Sequence, residues 1–309
     1  MTDRLPKVWK PYEIWKQGQI VENGGKMFVC THAHRSTDQF DKGRFERFKP
    51  HKDEEPAEVI RKLDWEEHHK YAFITSMNLD YYDKCGKAML QSWKRHASAV
   101  GPIFLYNEQL FEPKVKGVFR AGWQLGPQYI QFQKRHRNRR VKTFAKKAFP
   151  IMDAMDRIKC DRLIWLDADS MWVRHLPTQL ITLISPDHIL STHFSVHHIK
   201  NDTKYHSCET GFFILNKKHK GYKDFCNTYK DIYYNDKTDG LRRFYDGEVY
   251  GKTVDAMKVK GYEMMNLSSG EGVKTPIPRS VLAPYLEHYK AGLKERVDWD
   301  EVSEDEEDV

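Results

Sequence analysis

Long hydrophobic runs are absent from this chain of 309 residues. None of its apolar stretches approaches the roughly 18 residues that a membrane-spanning helix requires. No hydrophobic segment follows residues 1–4 that would act as a secretion signal. We therefore expect a protein that is made and kept in a cytoplasm. The length is sufficient to bury a large core.

Cysteine is also scarce, and its five copies are spread widely along the chain. An odd number of cysteines without close pairs indicates neither a disulfide framework nor a zinc site. The sequence instead predicts buried thiols at these positions, which are Cys30, Cys85, Cys160, Cys208 and Cys226.

The most informative segment is a short apolar run that ends in two acidic residues. Residues 163–166 are consecutive large hydrophobic residues, typical of a strand covered on both faces of a sheet, and Asp167 and Asp169 follow. In open α/β sheets, ligands bind beyond the carboxyl ends of the strands. Two carboxylates this close repel each other unless a divalent cation holds both ionised, which predicts a metal site. The alternative is that they cap a helix or shape a turn.

The Asp-x-Asp pair resembles the signature of nucleotide-sugar glycosyltransferases of the GT-A fold, and other segments resemble that fold in the same order along the chain. They are residues 71–78 (first strand and nucleotide loop), 80–96 (helix), 102–106 (second strand), 206–216 (acceptor-side strand) and 244–248 (acidic segment). The resemblance implies an α/β domain with a Rossmann-like, mostly parallel central sheet flanked by helices. It also implies transfer of a sugar from a nucleoside-diphosphate sugar, in most such families a UDP-sugar, to a hydroxyl group.

Near the end of the chain, His288, Gly292 and Lys294 resemble the His, Gly, Lys signature of glycogenin-like retaining transferases (glycosyltransferase family eight), with the glycine one residue later than usual. The resemblance implies that His288 joins the two aspartates in holding Mn²⁺ or Mg²⁺. It further implies that Lys294 contacts the departing diphosphate, whose charge the metal neutralises, and that the anomeric configuration is retained. A solvated helix face is the alternative for His288 and Lys294.

A further set of residues is expected to bind the donor. Three lie in the segment that resembles the first strand and nucleotide loop, and for these the expectation rests on the resemblance. Two are glycines, and two are lysines of a basic stretch before the metal strand. They are Thr75, Ser76, Asn78, Gly211, Gly292, Lys142 and Lys146, in addition to Asp167 and Lys294.

Three more acidic residues are candidates for binding the hydroxyls of the donor sugar or for orienting and deprotonating the acceptor hydroxyl: Glu209, Asp246 and Glu248. Glu209 ends a polar stretch before a strand, and Asp246 precedes a glycine that permits close approach. These features favour Glu209 and Asp246 near the reacting carbon. In a chain rich in lysine and arginine, each is alternatively a salt-bridge partner.

The first fifty residues follow a different pattern. Polar and apolar residues alternate around Gly24-Gly25, which predicts a β-hairpin, and the segment resembles small aromatic β-modules of chitinases and phage tail proteins. Trp9, Tyr12 and Trp15 either stack on sugar rings or nucleobases or form the core of this module. We predict an accessory module at 1–50, a linker or helix at 51–69, the transferase domain at 70–297 and a disordered acidic tail at 298–309.

Charge gives an indication of the acceptor. The formal net charge is +7, although residues 298–309 carry eight acidic residues, and without them it rises to +15. The densest basic patch is residues 134–147, which we expect at the start of the helix before the metal strand. A polyanionic acceptor would use this patch, either a glycan such as lipopolysaccharide or the hydroxymethylated DNA of a phage. A solvated helix is the alternative.

Two other classes of function are considered. One is a metal-dependent nuclease, but two-metal sites need more clustered acids than the sequence places near Asp169. The other is a catalytically inactive, glycan-binding phage structural protein. The complete set of Asp167, Asp169, His288 and Lys294 argues against loss of catalysis.

Overall fold

The computed structural model describes residues 67–108, 111–121, 126–200, 203–268 and 276–289, with only the backbone for 198–200, 203 and 204. It also describes the backbone of short strands in the first 47 residues. The chain divides into two compact units, Met1–Lys62 and Leu63–Val309. Among the described residues, no helix is both long and apolar enough to cross a bilayer.

The described strands of the first unit form two small sheets. Its strands are β1 (Lys7–Val8), β2 (Ile14–Trp15), β3 (Ile20–Asn23), β4 (Lys26–Cys30), β5 (His34–Arg35) and β6 (Phe45–Arg47), in the orders β1-β3-β4-β6 and β2-β5. Strands β3 and β4 pair antiparallel with Asn23 opposite Lys26, which is the pairing of a β-hairpin. The predicted roles of Trp9, Tyr12 and Trp15 concern side chains outside the described part.

The second unit alternates strands and helices. Its elements are β7 (His69–Met77), α1 (Leu79–Tyr81), a π-helical turn (Tyr82–Gly86), α2 (Lys87–His96), β8 (Ile103–Asn107), β9 (Val118–Arg120), α3 (Pro127–Arg135), α4 (Arg139–Arg157), β10 (Cys160–Leu166), β11 (Ser170–Trp172), α5 (Thr178–Ile184), β12 (Ser191–Lys200), β13 (Thr203–Asn216), α6 (Tyr222–Tyr234), α7 (Asp246–Val259), β14 (Met264–Asn266), a 3₁₀ turn (Ile277–Arg279) and β15 (Leu286–His288).

The central sheet has seven strands in the order β14-β12-β13-β10-β7-β8-β9. Four of the six strand pairings are parallel. The other two are antiparallel, and in both of them β13 is a partner, once with β10 and once with β12. Buried residues of α4, α6 and α7 form a core with one face of the sheet, and those of α2 and α5 form a core with the other. The predicted α/β class, with a mostly parallel central sheet flanked by helices, is confirmed.

Strand β10 is buried on both faces, as its apolar run predicts. Leu163 and Trp165 belong to one core, whereas Ile164 and Leu166 belong to the other. Full burial of one such side chain contributes about 1.5–3 kcal/mol. The hydrophobic part of the strand therefore fixes the position of the acidic residues that follow it.

Strands β12 and β13 pair irregularly near the end of β10. Between the pairs Thr192–Ile214 and Phe194–Glu209, one residue of β12 corresponds to four of β13. Here the carbonyl oxygen of Gly211 accepts a hydrogen bond of 2.9 Å from the backbone N–H of Asp167. Bulges and similar irregularities in strand pairing change the directions in which side chains point. This irregularity places β13 next to the acidic end of β10.

The four cysteines of the described part are buried thiols, as predicted: Cys85, Cys160, Cys208 and Cys226.

Candidate active site

A small antiparallel ribbon brings His288 to the two aspartates. Strand β11 starts directly after Asp169, and its pairing with β15 places Ser170 opposite His288. The backbone N–H of Tyr289 also donates to the carbonyl oxygen of Asp169 at 2.9 Å. His288 therefore ends a strand, which excludes the alternative of a solvated helix face.

Three potential metal ligands converge at this point. His288 Nε2 lies 3.1 Å from Asp169 Oδ1 and 3.8 Å from Asp167 Oδ2. One ligand atom from each residue lies within 4.8 Å of the other two. Two carboxylates and an imidazole suit a divalent cation such as Mn²⁺ or Mg²⁺. A cation bound here would offset the repulsion between the carboxylates, so the residues fit the predicted group.

Each aspartate is held through one oxygen and faces His288 with the other. Oδ1 of Asp167 accepts from the indole N–H of Trp165 at 2.7 Å and from Lys147 Nζ at 2.5 Å. Oδ2 of Asp169 accepts from the hydroxyl of Tyr81 at 3.2 Å. These contacts restrict the rotamers of both carboxylates, so the oxygens that face His288 are preorganised.

Tyr81 was not among the predicted site residues. Burial, together with the nearby Asp169, raises the pKa of its phenol well above the ordinary value, so the hydroxyl stays protonated and can donate. In the sequence it lies inside a segment assigned only to a helix, and no pattern distinguishes it from the adjacent Tyr82.

Lys147 is the second residue that the sequence analysis missed as an individual contributor. Its ammonium lies 2.5 Å from Asp167, 3.3 Å from Asp246 and 2.5 Å from the carbonyl oxygen of Thr210. Burial alone lowers the pKa of the amine, but the two carboxylates outweigh burial and raise it. Lys147 is therefore a charged link between the two sides of the site. No pattern in the sequence distinguishes Lys147 from its neighbour Lys146, which was predicted to bind the donor.

Two of the three predicted acids lie beside the metal-ligand group. Asp246, at the start of α7, accepts from the Thr210 hydroxyl at 2.6 Å. Glu209 accepts from the backbone N–H of Gly211 at 3.1 Å and lies 3.7 Å from His288 Nδ1. Both are buried, yet both border the cavity described below.

Glu248 has different surroundings. Its carboxylate pairs with the guanidinium of Arg242 at 3.1 Å and accepts from the backbone N–H of Arg243 at 2.6 Å. Both oxygens of this carboxylate are therefore engaged by a cation and a backbone donor. Glu248 therefore fits a structural or binding role better than proton transfer.

A cavity of about 520 Å³ joins these groups. It is large enough for a small polar ligand. Its lining consists of Phe144, Asp167, Asp169, Ser207, Cys208, Glu209, Thr210, Arg242, Tyr245, Asp246, Gly247, Glu248 and His288.

Gly211 has a packing role beside His288. A Cβ atom at this position would lie 2.4 Å from Cε1 and 2.7 Å from Nδ1 of the imidazole. Contacts this short do not occur, so a glycine is required for the ring to reach the aspartates. Gly211 therefore packs against a predicted metal ligand, and its predicted role in binding the donor stays a prediction.

The other predicted donor-binding residues have varied surroundings. Thr75 is fully buried in β7, and Asn78 caps α1 by accepting from the backbone N–H of Tyr81 at 2.8 Å. Ser76 donates to the carbonyl oxygen of Lys146 at 3.4 Å. The Lys146 ammonium pairs with Glu108 at 2.5 Å.

Neither these residues nor Lys142 line the cavity of about 520 Å³. Gly292 and Lys294 lie outside the described residues. The donor-binding roles of all these residues stay predictions.

No protein-family model matches the chain, and no curated protein matches it. Solved structures similar to it include a glycosyltransferase involved in glycosylation of the major capsid of PBCV-1, with 13% identity and a TM-score of 0.42 over 74% of this chain and 99% of that one. The galactosyltransferase LgtC has 12% identity and a TM-score of 0.47 over 77% of this chain and 97% of that one.

The glycosyltransferase GlyE of Streptococcus pneumoniae TIGR4 has 14% identity and a TM-score of 0.40 over 76% of this chain. The similar region spans 62% of GlyE, which is less than two thirds of that protein.

Proposed function

We propose that this protein is a metal-dependent glycosyltransferase of the GT-A type. It moves a sugar from a nucleoside-diphosphate sugar to a hydroxyl acceptor. The observation that carries the proposal is the convergence of Asp167, Asp169 and His288 beside a cavity that is also bordered by Glu209 and Asp246.

In this proposal Asp167, Asp169 and His288 hold Mn²⁺ or Mg²⁺. The bound cation supplies Lewis-acid neutralisation of the charge that grows on the departing diphosphate. Trp165 and Tyr81 keep the two carboxylates oriented through the bonds at 2.7 and 3.2 Å. Preorganised groups of this kind need no rearrangement during the reaction.

Asp246 and Glu209 are the proposed contacts for the hydroxyls of the donor sugar and the acceptor. Asp246 is anchored by Thr210 and Lys147, and Glu209 by the backbone of Gly211. Both therefore present carboxylate oxygens at fixed positions, which suits orientation of a hydroxyl group. Glu248 is ranked third because Arg242 already neutralises it.

The finer features of the donor follow from the sequence resemblance. They are a UDP-sugar as the donor, retention of configuration, and contact of Lys294 and Gly292 with the diphosphate. Proton NMR coupling constants of the first product report its anomeric configuration. An inverted product would remove the assignment to a retaining enzyme.

The nuclease alternative is less consistent with the electrostatics. The fold does bring more acids to Asp169 than the sequence places there, since Glu209, Asp246 and Glu248 border the same cavity. However, Lys147 lies between Asp167 and Asp246, and Arg242 pairs with Glu248. These cations neutralise the carboxylates that a second metal ion would require.

A glycan is the acceptor that we favour over hydroxymethylated DNA. Three cations of the patch at 134–147 are already engaged, because Arg135 pairs with Asp236, Lys146 with Glu108 and Lys147 with the site. The cavity wall carries Phe144 and Tyr245, whose ring centroids are 4.6 Å apart. Aromatic faces of this kind pack against sugar rings.

Thermal melting against nucleoside diphosphates and nucleotide sugars, each with and without Mn²⁺, tests the function. Because binding to the folded state raises the melting temperature, the proposal expects a shift that needs both the nucleotide and the metal. The ligand that gives the largest shift is then tested for sugar transfer to a panel of glycans. No shift with any nucleotide, together with release of mononucleotides from DNA, would favour the nuclease.

A further inference from the structure

A second cluster of metal-binding side chains lies on strands β12 and β13. One ligand atom from each of His193, His206 and Cys208 lies within 4.8 Å of the other two. This cluster faces helix α7, since His206 contacts Asp255 of that helix and Cys208 belongs to the core that contains its Val249. The function proposed above does not use these side chains.

The two imidazoles are arranged around one hydroxyl group, and the thiol lies beside one of them. His193 Nε2 lies 3.2 Å from the Ser195 hydroxyl oxygen, and His206 Nε2 lies 3.1 Å from the same atom. The sulfur of Cys208 lies 3.9 Å from His206 Nε2, and Cys208 is the cross-strand partner of Ser195. His193 is the residue of β12 at the irregularity described above, which is a position where side chains are commonly re-aimed.

Asp255 orients the imidazole of His206 from outside the cluster. Its carboxylate lies 2.8 Å from His206 Nδ1. A protonated Nδ1 facing a carboxylate leaves the lone pair of Nε2 directed at the other ligands. Histidines that bind metals in proteins usually have such a partner on their second nitrogen.

The ligand set and its burial indicate which ion fits. Two imidazole nitrogens and one sulfur suit Zn²⁺, whereas Mn²⁺ and Mg²⁺ prefer oxygen ligands. His193 is fully buried and Cys208 is 6% exposed. A neighbouring cavity of about 360 Å³, lined by His206 and Asp255, provides a route of entry. A thiolate and the Asp255 carboxylate would offset the two positive charges of the ion.

We propose that His193, His206 and Cys208 form a structural zinc site with the Ser195 hydroxyl or a water molecule in the fourth position. The ion joins β12 to β13 directly before Glu209 and Thr210, so it fixes the part of β13 that borders the candidate active site. Cysteine spacing predicts no such site, because one ligand lies thirteen residues before the second and Cys208 is its sole thiol.

Cobalt substitution of the full-length protein tests this site separately from the aspartate site. A thiolate bound to Co²⁺ gives a charge-transfer band in the near ultraviolet, which oxygen and imidazole ligands do not give. The metal-free protein should develop this band on addition of Co²⁺, and Zn²⁺ should abolish it. Cys208→Ser should lose the band, whereas the control Cys226→Ser, at a buried cysteine outside the cluster, should retain it.

Asp169→Asn should also retain the band, which distinguishes failure of the zinc site from failure of the proposed transferase. His206→Gln provides a second variant in case Cys208→Ser does not fold, and the same loss is expected. Absence of the band in the wild-type protein would overturn the proposal. The proposal would also be overturned if the band persisted in Cys208→Ser or His206→Gln, or if it were lost in Cys226→Ser.

Discussion

The ammonium nitrogen of Lys147 lies 2.5 Å from Oδ1 of Asp167. The side chains are 13% and 25% exposed, so the pair is largely shielded from water. The same nitrogen lies 3.3 Å from Asp246, which gives one cation two carboxylate partners. This arrangement offsets part of the negative charge of the candidate site in the absence of a metal.

Lys147→Met should destabilise the metal-free protein by about 3 kcal/mol, because loss of one partner leaves buried carboxylates uncompensated. Mn²⁺ should recover part of this loss by neutralising Asp167. Urea denaturation with and without Mn²⁺ measures both effects. The control Lys134→Met, at an exposed position, should change the free energy of unfolding little. Equal effects of the two substitutions would show that the Lys147 pairs contribute nothing.

Asp169→Asn should reduce sugar transfer at least about 100-fold, which corresponds to about 2.7 kcal/mol of transition-state stabilisation. The variant keeps the size of the side chain and a carbonyl oxygen for Tyr81, so it should fold normally. Initial rates at saturating Mn²⁺ and circular dichroism measure the two properties. Asp83→Asn, at an exposed carboxylate, is the matched control. Full activity of Asp169→Asn would exclude this carboxylate from the mechanism.

Gly211→Ala should weaken Mn²⁺ binding by about 10- to 100-fold, the range found when a ligand loses its orientation. The added methyl group would lie 2.4 Å from the His288 ring, so the imidazole must move away from the aspartates. Electron paramagnetic resonance measures free Mn²⁺ in a titration. In the control Gly126→Ala, the new atom meets only the end of the flexible Gln128 side chain at 3.2 Å. Unchanged affinity in Gly211→Ala would show that His288 is not a ligand.

Asp236→Asn should lower stability at neutral pH by less than about 1 kcal/mol, because its ion pairs are partly exposed. Burial alone would raise the pKa of the Asp236 carboxyl. The hydrogen bonds and charges of Arg135 and His136 outweigh burial and hold that pKa below the ordinary value. A lowered folded pKa gives stability that is present above the unfolded pKa of about 3.9 and is lost as the pH falls through the folded pKa.

The difference in the free energy of unfolding between the wild-type protein and Asp236→Asn should therefore disappear at acidic pH. Residue 236 has a φ of 51°, which asparagine tolerates, so backbone strain does not confuse the comparison. Urea denaturation across the acid range measures the difference. Asp239→Asn, at an exposed carboxylate in the same loop, should show little difference at any pH. If Asp236→Asn lowered the free energy of unfolding by the same amount at every pH, the ion pairs of Asp236 would not be the cause of the loss.

Binding to duplex DNA should be weak and only moderately dependent on salt. The patch retains four exposed cations without an acidic partner described above, namely Lys134, Arg137, Arg139 and Arg140. They predict a slope of log affinity against log salt no steeper than about −4. Joint replacement of Arg139 and Arg140 by alanine should reduce the slope by about 2. A slope near −7 in the wild-type protein would mean that the whole patch contacts DNA, which would favour the DNA acceptor.

Sequence patterns were sufficient to predict those parts of the fold and the site that depend on residues close together in the chain. The apolar run of β10 predicts a two-sided strand, and an acidic pair at its end predicts a ligand site, because both features lie within ten residues. The segments assigned to the first strand and to the second strand correspond to β7 and β8 within two residues at each end.

Long-range contacts explain what sequence patterns did not reveal. Lys146 and Lys147 are chemically identical neighbours, and only the rotation of α4 directs one to Glu108 and the other to Asp167. The basic patch was expected to open a single helix, but it spans the end of α3, a break at 136–138 and the start of α4. Tyr81 reaches Asp169 across 88 residues, a pairing that no spacing rule contains.

The pairing of β11 with β15 determines when the site can form during synthesis. Asp169 and His288 are separated by 119 residues. At about 5–20 residues per second, a ribosome needs roughly 6–24 s to make the segment between them. The nascent chain therefore carries the aspartates without their imidazole partner while β12, β13 and β14 of the central sheet are made, and the three-ligand group is complete only after residue 288 has been translated.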